Sequence, residues 1–396
     1  MKRTFILVLI LWCSTAALDH SHRIKSLGTD FANLIPDYET DLYRDPQILN
    51  QGIAGISFEP TLIYYYRQSL YLYVPVRRVP VTLQLMYKKL GLMGQYWLNY
   101  SHELEPHDYG WHSSTYKAFR INDIWMYRVR KAVINLYNDL DYSRINYLTS
   151  TNSESIESSI EYIARTQFSL QLREPLRLDL KLGYGFYESR NEIDNSEISK
   201  QRINLGLARI GVYCRNISRA NDFTSWYVVL GSPMTNREID SLPYSVYSQL
   251  AENETEFVTF ARTLMVRFAI ARALPITNHG FVAVGIKNSF LYQDTENVAE
   301  ANDLRGIVNM ISLPIGFEYR IKAVTLRFGT RFHYDFQSLR TADESALSHQ
   351  TIEHGFGYAY SFGLGWQPHK NVTLDIYNNG NLSYITDWAL YVKYLF

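Results

Sequence analysis

Long stretches of alternating apolar and polar residues restrict the folds open to this chain more than any other feature of its sequence. In residues 324–336 most even positions are apolar, and they are Val324, Leu326, Phe328, Phe332, Tyr334 and Phe336. The odd positions carry Thr, Arg, Gly, His and Asp, and residues 176–187 and 355–366 alternate in the same way. Successive side chains of a β-strand point to opposite faces, so a period of two residues predicts strands with one apolar and one polar face.

Three properties of these segments favour a membrane-spanning barrel over a soluble sandwich. Many segments are about 12 to 16 residues long, whereas the strands of globular proteins cluster near five or six. Tyr, Trp and Phe stand toward the segment ends, as in the aromatic girdles at membrane interfaces. Charged residues such as Arg177 and Lys181 stand in the middle of the polar face. We therefore predict a transmembrane barrel, in which one face of each strand meets lipid.

The connections between the segments alternate in length, which indicates an up-and-down order. Short connections are predicted near 173–175, 273–278, 321–322 and 368–370, and longer polar ones near 149–157, 190–199, 235–255, 294–303 and 339–351. Outer-membrane barrels have short turns on one side and long loops on the other. The predicted fold is an all-β, antiparallel, up-and-down barrel of about 16 strands over residues 56–396, and 14 strands is the alternative.

Residues 1–17 are predicted to be a cleaved secretory signal peptide. Lys2 and Arg3 precede a short apolar run, and small residues follow up to Ala17. This order is typical of a signal peptide, and the run is too short to span a membrane as a helix. Cleavage would leave Cys214 as the single cysteine, so no internal disulfide is expected.

Composition and motifs exclude several classes of function. The 39 basic and 39 acidic side chains balance, which argues against a nucleic-acid partner, and a mean hydropathy of −0.20 is too polar for a bundle of transmembrane helices. No Gly-x-Ser-x-Gly elbow or His-Glu-x-x-His helix is found, and His102 and His107 are wrongly spaced for a zinc helix. We expect no catalytic residues, no metal and no cofactor, and hence no enzyme.

The last residues carry a more specific pattern. Trp388, Leu390, Val392, Tyr394 and Phe396 share one face of a strand, and Phe396 is terminal. Here the chain resembles bacterial outer-membrane β-barrel proteins, whose final strand ends in an aromatic residue read by the barrel-assembly machinery. The resemblance implies an outer-membrane location, with membrane lipid and that machinery as partners.

Residues 18–55 precede the predicted barrel and form either a periplasmic lead-in or a plug of the lumen. The stretch from Asp37 to Asn50 loosely resembles the N-terminal lead-in of fatty-acid-transporter-like barrels, with Asp45-Pro46-Gln47 where that family has Asn-Pro-Ala. The resemblance implies that this segment enters the lumen and that hydrophobic compounds leave through the wall. An Asp-Pro turn in a periplasmic lead-in explains the composition equally well.

Charged residues on the polar face are predicted to line the lumen. The basic ones are Arg165, Arg177, Lys181, Arg267, Lys287, Arg320, Arg327 and Arg331, and the acidic ones are Asp139, Glu161, Asp179, Glu318 and Asp335. These charges either tune the ion preference of a pore or pair across neighbouring strands. We expect a porin-like channel for small polar solutes of unknown identity. The alternatives are a fatty-acid-transporter-like barrel for hydrophobic compounds and a surface or scaffold barrel that transports nothing.

Overall fold

The computed structural model describes residues 22–37, 54–58, 61–62, 72–73, 77–78, 81–87, 90–107, 110–148, 154–194, 196–219, 221–232, 256–297, 303–342, 349–378 and 388–395. The predicted signal peptide, the predicted turn at Asp45-Pro46-Gln47 and Phe396 lie outside these residues. The strands are β1 (Ala54–Phe58), β2 (Thr61–Leu62), β3 (Leu72–Tyr73), β4 (Arg77–Arg78), β5 (Val81–Tyr87), β6 (Leu90–His107), β7 (Gly110–Val129), β8 (Ala132–Leu148), β9 (Glu154–Arg173), β10 (Leu176–Ile193), β11 (Ser196–Arg219), β12 (Asp222–Gly231), β13 (Glu256–Thr277), β14 (Gly280–Asn297), β15 (Asp303–Ile321), β16 (Val324–Ala342), β17 (His349–His369), β18 (Val372–Asn378) and β19 (Trp388–Leu395).

Sixteen of the described strands pair around a ring. Each strand from β5 to β19 lies antiparallel to the next, and β1 joins the two ends of this series. Gly55 of β1 pairs with Leu395 of β19 on one side and with Gln84 of β5 on the other. The predicted all-β, up-and-down fold of about 16 strands is confirmed.

Two regions depart from the predicted up-and-down order, and the longer connection predicted near 190–199 is wrong, because β10 ends at Ile193 and β11 begins at Ser196. The first departure follows β1, where β2 pairs with β4 in a separate two-stranded sheet and β3 pairs with the C-terminal part of β6. The second departure is at β12, which ends at Gly231, where φ is +140°. Beyond it β11 and β13 pair directly and in parallel, from Lys200 with Glu256 to Asn204 with Phe260.

The polarity of the wall is the reverse of that of a soluble protein. Leu180 on β10 is 40% exposed, whereas its neighbours Asp179 and Lys181 are 2% and 5% exposed. The same contrast runs around the ring: exposed apolar residues include Leu136, Ile210, Val228, Phe268, Ile286, Leu313, Phe328 and Leu390, and buried polar ones include Asn135, Arg165, Gln167, Arg209, Ser312, Ser361, Asp375 and Lys393. Outer-membrane barrels have this apolar outside and polar inside.

Polar residues interrupt the outer apolar face at more than one described point, for example where Asp123 on β7 pairs with Asn138 on β8. Asn288 on β14 and Asn309 on β15 both lie in the outward rows, and Asn288 Nδ2 donates a hydrogen bond to Asn309 Oδ1 over 2.7 Å. A hydrogen bond between the two side chains lowers the cost of placing them against lipid. No helix among the described residues is long and apolar enough to cross a membrane.

Candidate functional site in the lumen

A segment near the N-terminus lies inside the ring, and we call residues 22–37 the plug. It consists of helix α1 (His22–Ser26), a 3-10 turn (Thr29–Phe31) and a short tail to Asp37. Gly28, with φ of +89°, ends the helix, because a left-handed backbone there suits glycine. The plug makes no ladder with the wall and is held by its side chains.

The apolar side chains of the plug are fully enclosed. Ile24, Leu27, Phe31, Leu34 and Ile35 are each 0% exposed. They join an inward cluster on β12, β13 and β14, which we call the apolar patch: Phe223, Tyr227, Val229, Met265, Ala269, Ala271, Ala273, Phe281, Ala283 and Leu291. Burial of this surface is the largest favourable term that docking of the plug can have.

Inward glycines on the facing strands make room for the plug. A Cβ added to Gly329 would lie 2.2 Å from the backbone of Leu27, and one added to Gly363 would lie 2.4 Å from Cβ of Ser26. The Ser361 hydroxyl donates a 3.0 Å hydrogen bond to the Ser26 carbonyl. The wall of β16 and β17 therefore fits the plug backbone closely, and larger side chains there would collide with it.

Asp30 at the tip of the plug is held by two basic side chains of the wall. Lys287 Nζ donates to Asp30 Oδ1, and Arg331 Nη1 lies 3.4 Å from Oδ2. Burial alone would raise the pKa of Asp30, but the positive charges of Lys287 and Arg331 and the hydrogen bond from Lys287 lower it from 3.8 to about 2. Asp30 is therefore ionised at neutral pH, and its charge is compensated by the wall.

A second set of ion pairs holds the plug at its helix, through Arg23. Arg23 forms a two-pronged bond with Glu318, with Nε–Oε2 of 2.6 Å and Nη2–Oε1 of 2.9 Å. Glu318 also accepts from Arg327 Nε at 3.1 Å, and Arg327 Nη1 reaches Asp375 Oδ1 at 2.6 Å. Planar guanidinium groups suit this bidentate geometry. Arg23 Nη1 additionally donates to the Pro36 carbonyl, which brings the two ends of the plug together.

The plug occupies the end of the ring at which the short turns lie. Glu318 and Arg327 stand close to the turn between β15 and β16, and they bind Arg23. The tail lies at the same end, where Arg215 Nη2 donates to the carbonyl of Asn33 over 3.1 Å. Short turns face the periplasm in outer-membrane barrels. The plug therefore lies in the half of the lumen next to the short turns and has both of its ends there.

Among the residues predicted to line the lumen, Asp139 is buried and accepts a 3.0 Å hydrogen bond from the Tyr137 hydroxyl, Glu161 lies on β9, and the others fall into three groups. Lys287, Glu318, Arg327 and Arg331 contact the plug or its partners, and Arg267 donates to Ser289 beside them. A second group lies on β9 and β10: Arg165 stacks on Tyr137 at 3.7 Å, Arg177 pairs with Asp179 at 3.0 Å, and Lys181 is buried. The third group lies apart, with Arg320 exposed at the short-turn rim and Asp335 paired with His333.

The plug residues Arg23 and Asp30, and Arg215 on the wall, were missed by the sequence analysis. The signal for the plug was present, because Ile24, Leu27, Phe31 and Leu34 follow the three-and-four spacing of an amphipathic helix in a chain that otherwise has a period of two. Among the described residues no group of three or more His, Cys, Asp or Glu side chains is arranged to hold a metal ion.

Comparison with known proteins finds similarity to solved structures and none to protein families or curated sequences. No protein-family model matches the sequence, and no curated protein matches it. CdiB from Acinetobacter baumannii is 11% identical, with a TM-score of 0.45 over 87% of this chain, and the match spans 60% of CdiB. BamA from Haemophilus ducreyi lacking POTRA domains 1–3 is 10% identical (TM-score 0.37, 87% of this chain, 71% of BamA). The outer membrane transporter YddB from Escherichia coli is 9% identical (TM-score 0.35, 87% of this chain, 81% of YddB).

These matches are to outer-membrane β-barrel proteins, and their low TM-scores give no finer guide to function. The ring of strands and its reversed polarity are properties of the chain itself. Together they give it the architecture of an outer-membrane β-barrel protein.

Proposed function

We propose that this protein is a channel of the bacterial outer membrane for small polar solutes, and that the plug opens and closes it. The plug inside the half of the ring next to the short turns is the observation that carries the proposal. It is held by ion pairs and apolar packing, which can be broken and remade without covalent change. With the plug withdrawn, a ring of sixteen strands is wide enough to leave an aqueous channel.

The route to the membrane is part of the same proposal. Residues 1–17 direct export and are removed, membrane lipid surrounds the outer face, and the barrel-assembly machinery inserts the barrel. The polar inner walls support the choice of solute, because Arg165, Arg177, Asp179 and Lys181 all lie on the inner face of β9 and β10.

The experiment compares the wild-type protein in planar bilayers with a variant lacking residues 22–37. We expect the wild type to be closed most of the time and the deletion variant to conduct steadily. The double substitution Arg23→Gln with Asp30→Asn removes both ionic anchors without shortening the chain, and frequent opening is expected. Arg272→Gln is the matched control, because this arginine pairs with Asp222 on the outside of the wall. A folded deletion variant that does not conduct would contradict the proposal.

Two observations favour a second candidate, transport of hydrophobic compounds. The apolar patch would offer such compounds a surface inside the lumen once the plug moves, and the wall is irregular where β12 ends at Gly231. Two measurements on vesicles that contain the protein separate the two candidates. Uptake of a fluorescent alkyl compound reports transport of hydrophobic compounds, and vesicle swelling in small sugars reports passage of polar solutes. Uptake without swelling would favour the hydrophobic-transport candidate, and neither response would favour a barrel that transports nothing.

A further inference from the structure

The wall residues around Asp30 form an anion site that the plug fills incompletely. Two cations, Lys287 and Arg331, contact a single carboxylate, and Arg267 is close enough to act electrostatically on Lys287. Among the described residues, the ion pairs formed by Lys287 and Arg331 are both with Asp30.

One further polar atom of this site has no hydrogen-bond partner. Nε of Arg331 is buried and unsatisfied, whereas the hydroxyl of Ser312 is within hydrogen-bonding reach of Asp30. Ser312 stands opposite Lys287 in the ladder between β14 and β15, so the hydroxyl and the ammonium group occupy one level of the wall. A buried donor without a partner costs free energy comparable to a lost hydrogen bond. The site therefore has unused capacity for oxygen acceptors.

We propose that Lys287, Arg331 and Ser312 form a binding site for small carboxylates, in particular dicarboxylates, and that Asp30 occupies this site as an internal competitor. A free dicarboxylate carries two charges and four acceptor oxygens, so it matches the two cations and can also accept from Arg331 Nε, which the Asp30 side chain leaves unpaired. Because the same donors cannot serve both, binding of the solute and docking of the plug tip exclude each other.

This inference rests on the proposed function and specifies it. A carboxylate solute that enters the lumen would release the plug that blocks its own passage, so closure would depend on the solute. Linkage requires the reverse as well: whatever weakens the docking of Asp30 must strengthen binding of the solute.

Two measurements test the proposal on the full mature chain in detergent. In the first, Ala32→Cys in a Cys214→Ser background reports release of the plug, because Ala32 is buried when the plug is docked. Succinate at tens of millimolar should accelerate maleimide labelling several-fold over sodium chloride of equal ionic strength, and acetate should act more weakly. In the second, calorimetry should show succinate binding several-fold more tightly to Asp30→Asn than to the wild type.

Matched variants decide between a specific site and general screening. Lys287→Gln and Arg331→Gln should each weaken succinate binding, and Arg272→Gln on the outer surface should leave it unchanged. Equal acceleration by succinate and chloride, or unchanged affinity in Asp30→Asn, would overturn the inference. Neither measurement requires passage through the barrel. A conducting plug-deletion variant without succinate binding would therefore retain the channel and reject the carboxylate site.

Discussion

At the scale of single residues, Asp30 carries the pH response expected of the plug. Its carboxylate is 2% exposed and is stabilised by Lys287 and Arg331 of the wall. Protonation would remove the charge that these two cations compensate and leave them facing each other. Acid should therefore open the lumen.

The direction of this pH effect follows from the pKa of Asp30, which is about 2 in the docked plug and 3.8 as its ordinary value. A carboxyl with a lowered pKa stabilises the docked state above the ordinary pKa, and this stabilisation is lost as the pH falls through the docked pKa. The contribution at neutral pH is about 2 kcal/mol. Conductance of the wild type should rise between about pH 4 and pH 2. This rise in conductance should be absent in Asp30→Asn. If the rise persists in that variant, another titratable group causes it.

A charge on the outer face tests the orientation of the wall. Phe328 is exposed on the lipid side of β16, so Phe328→Arg should reduce the free energy of unfolding by about 2–4 kcal/mol. The same charge in Ile321→Arg, at the short-turn rim, should cost only about 0–1 kcal/mol. Urea unfolding in lipid vesicles gives both values, and equal costs would mean that Phe328 does not face the hydrocarbon layer.

At the scale of elements, the fit between plug and wall depends on glycines rather than on strand pairing. Gly329→Ala would place a methyl group 2.2 Å from the backbone of Leu27, whereas Gly355 has nothing within 4 Å of an added Cβ. Gly329→Ala should displace the plug and leave the barrel intact, and Gly355→Ala should change neither. The rate of maleimide labelling of Ala32→Cys measures release of the plug, and gel mobility without heating reports whether the barrel is folded. Unchanged labelling in Gly329→Ala would contradict the fit described above.

The pairing of β1 with β19 closes the ring, and it is the shortest pairing between neighbouring strands of the ring that the structure describes. Gly55–Phe58 of β1 pair with Val392–Leu395 of β19. An unclosed edge would expose backbone polar groups to lipid, so weakening of this strand should impair assembly. Tyr394→Ala combined with Phe396→Ala should lower the yield of protease-resistant protein in the membrane fraction. The inward Tyr391→Phe is the control. Normal yields of the folded double variant would show that these aromatic residues are not an assembly signal.

The strands and the inward charges of the wall could be predicted from sequence, whereas the contacts between these charges and the plug could not, for a physical reason. Strand faces repeat every two residues, so β10 and β16 can be read locally, and even their short turns fall where predicted. Docking of the plug depends on pairs far apart in the chain, such as Arg23 with Glu318, which local periodicity does not encode. In the region after β1, local alternation likewise does not reveal that β2 pairs with β4 and that β3 pairs with β6.

At the scale of the whole molecule, the reversed polarity makes stability depend on the membrane. The outer surface of the wall is apolar around the ring, and the backbone bonds are shared between neighbouring strands. The purified protein should require detergent, give a far-UV circular dichroism spectrum dominated by β structure and migrate faster on gels when not heated. Full solubility without detergent would contradict this description of the surface.

The hydrogen bond from Arg23 to the Pro36 carbonyl has a consequence for the rate at which the plug returns to the lumen. Because both ends of the plug lie at the same mouth of the ring, it can withdraw through that mouth without threading through the ring. Residues 38–53 then tether it to Ala54 of β1, within about 55 Å of reach. Return is therefore a first-order process, with an effective local concentration of the order of millimolar that dilution of the protein cannot lower. Reclosure rates should be the same for one copy in a vesicle as for many.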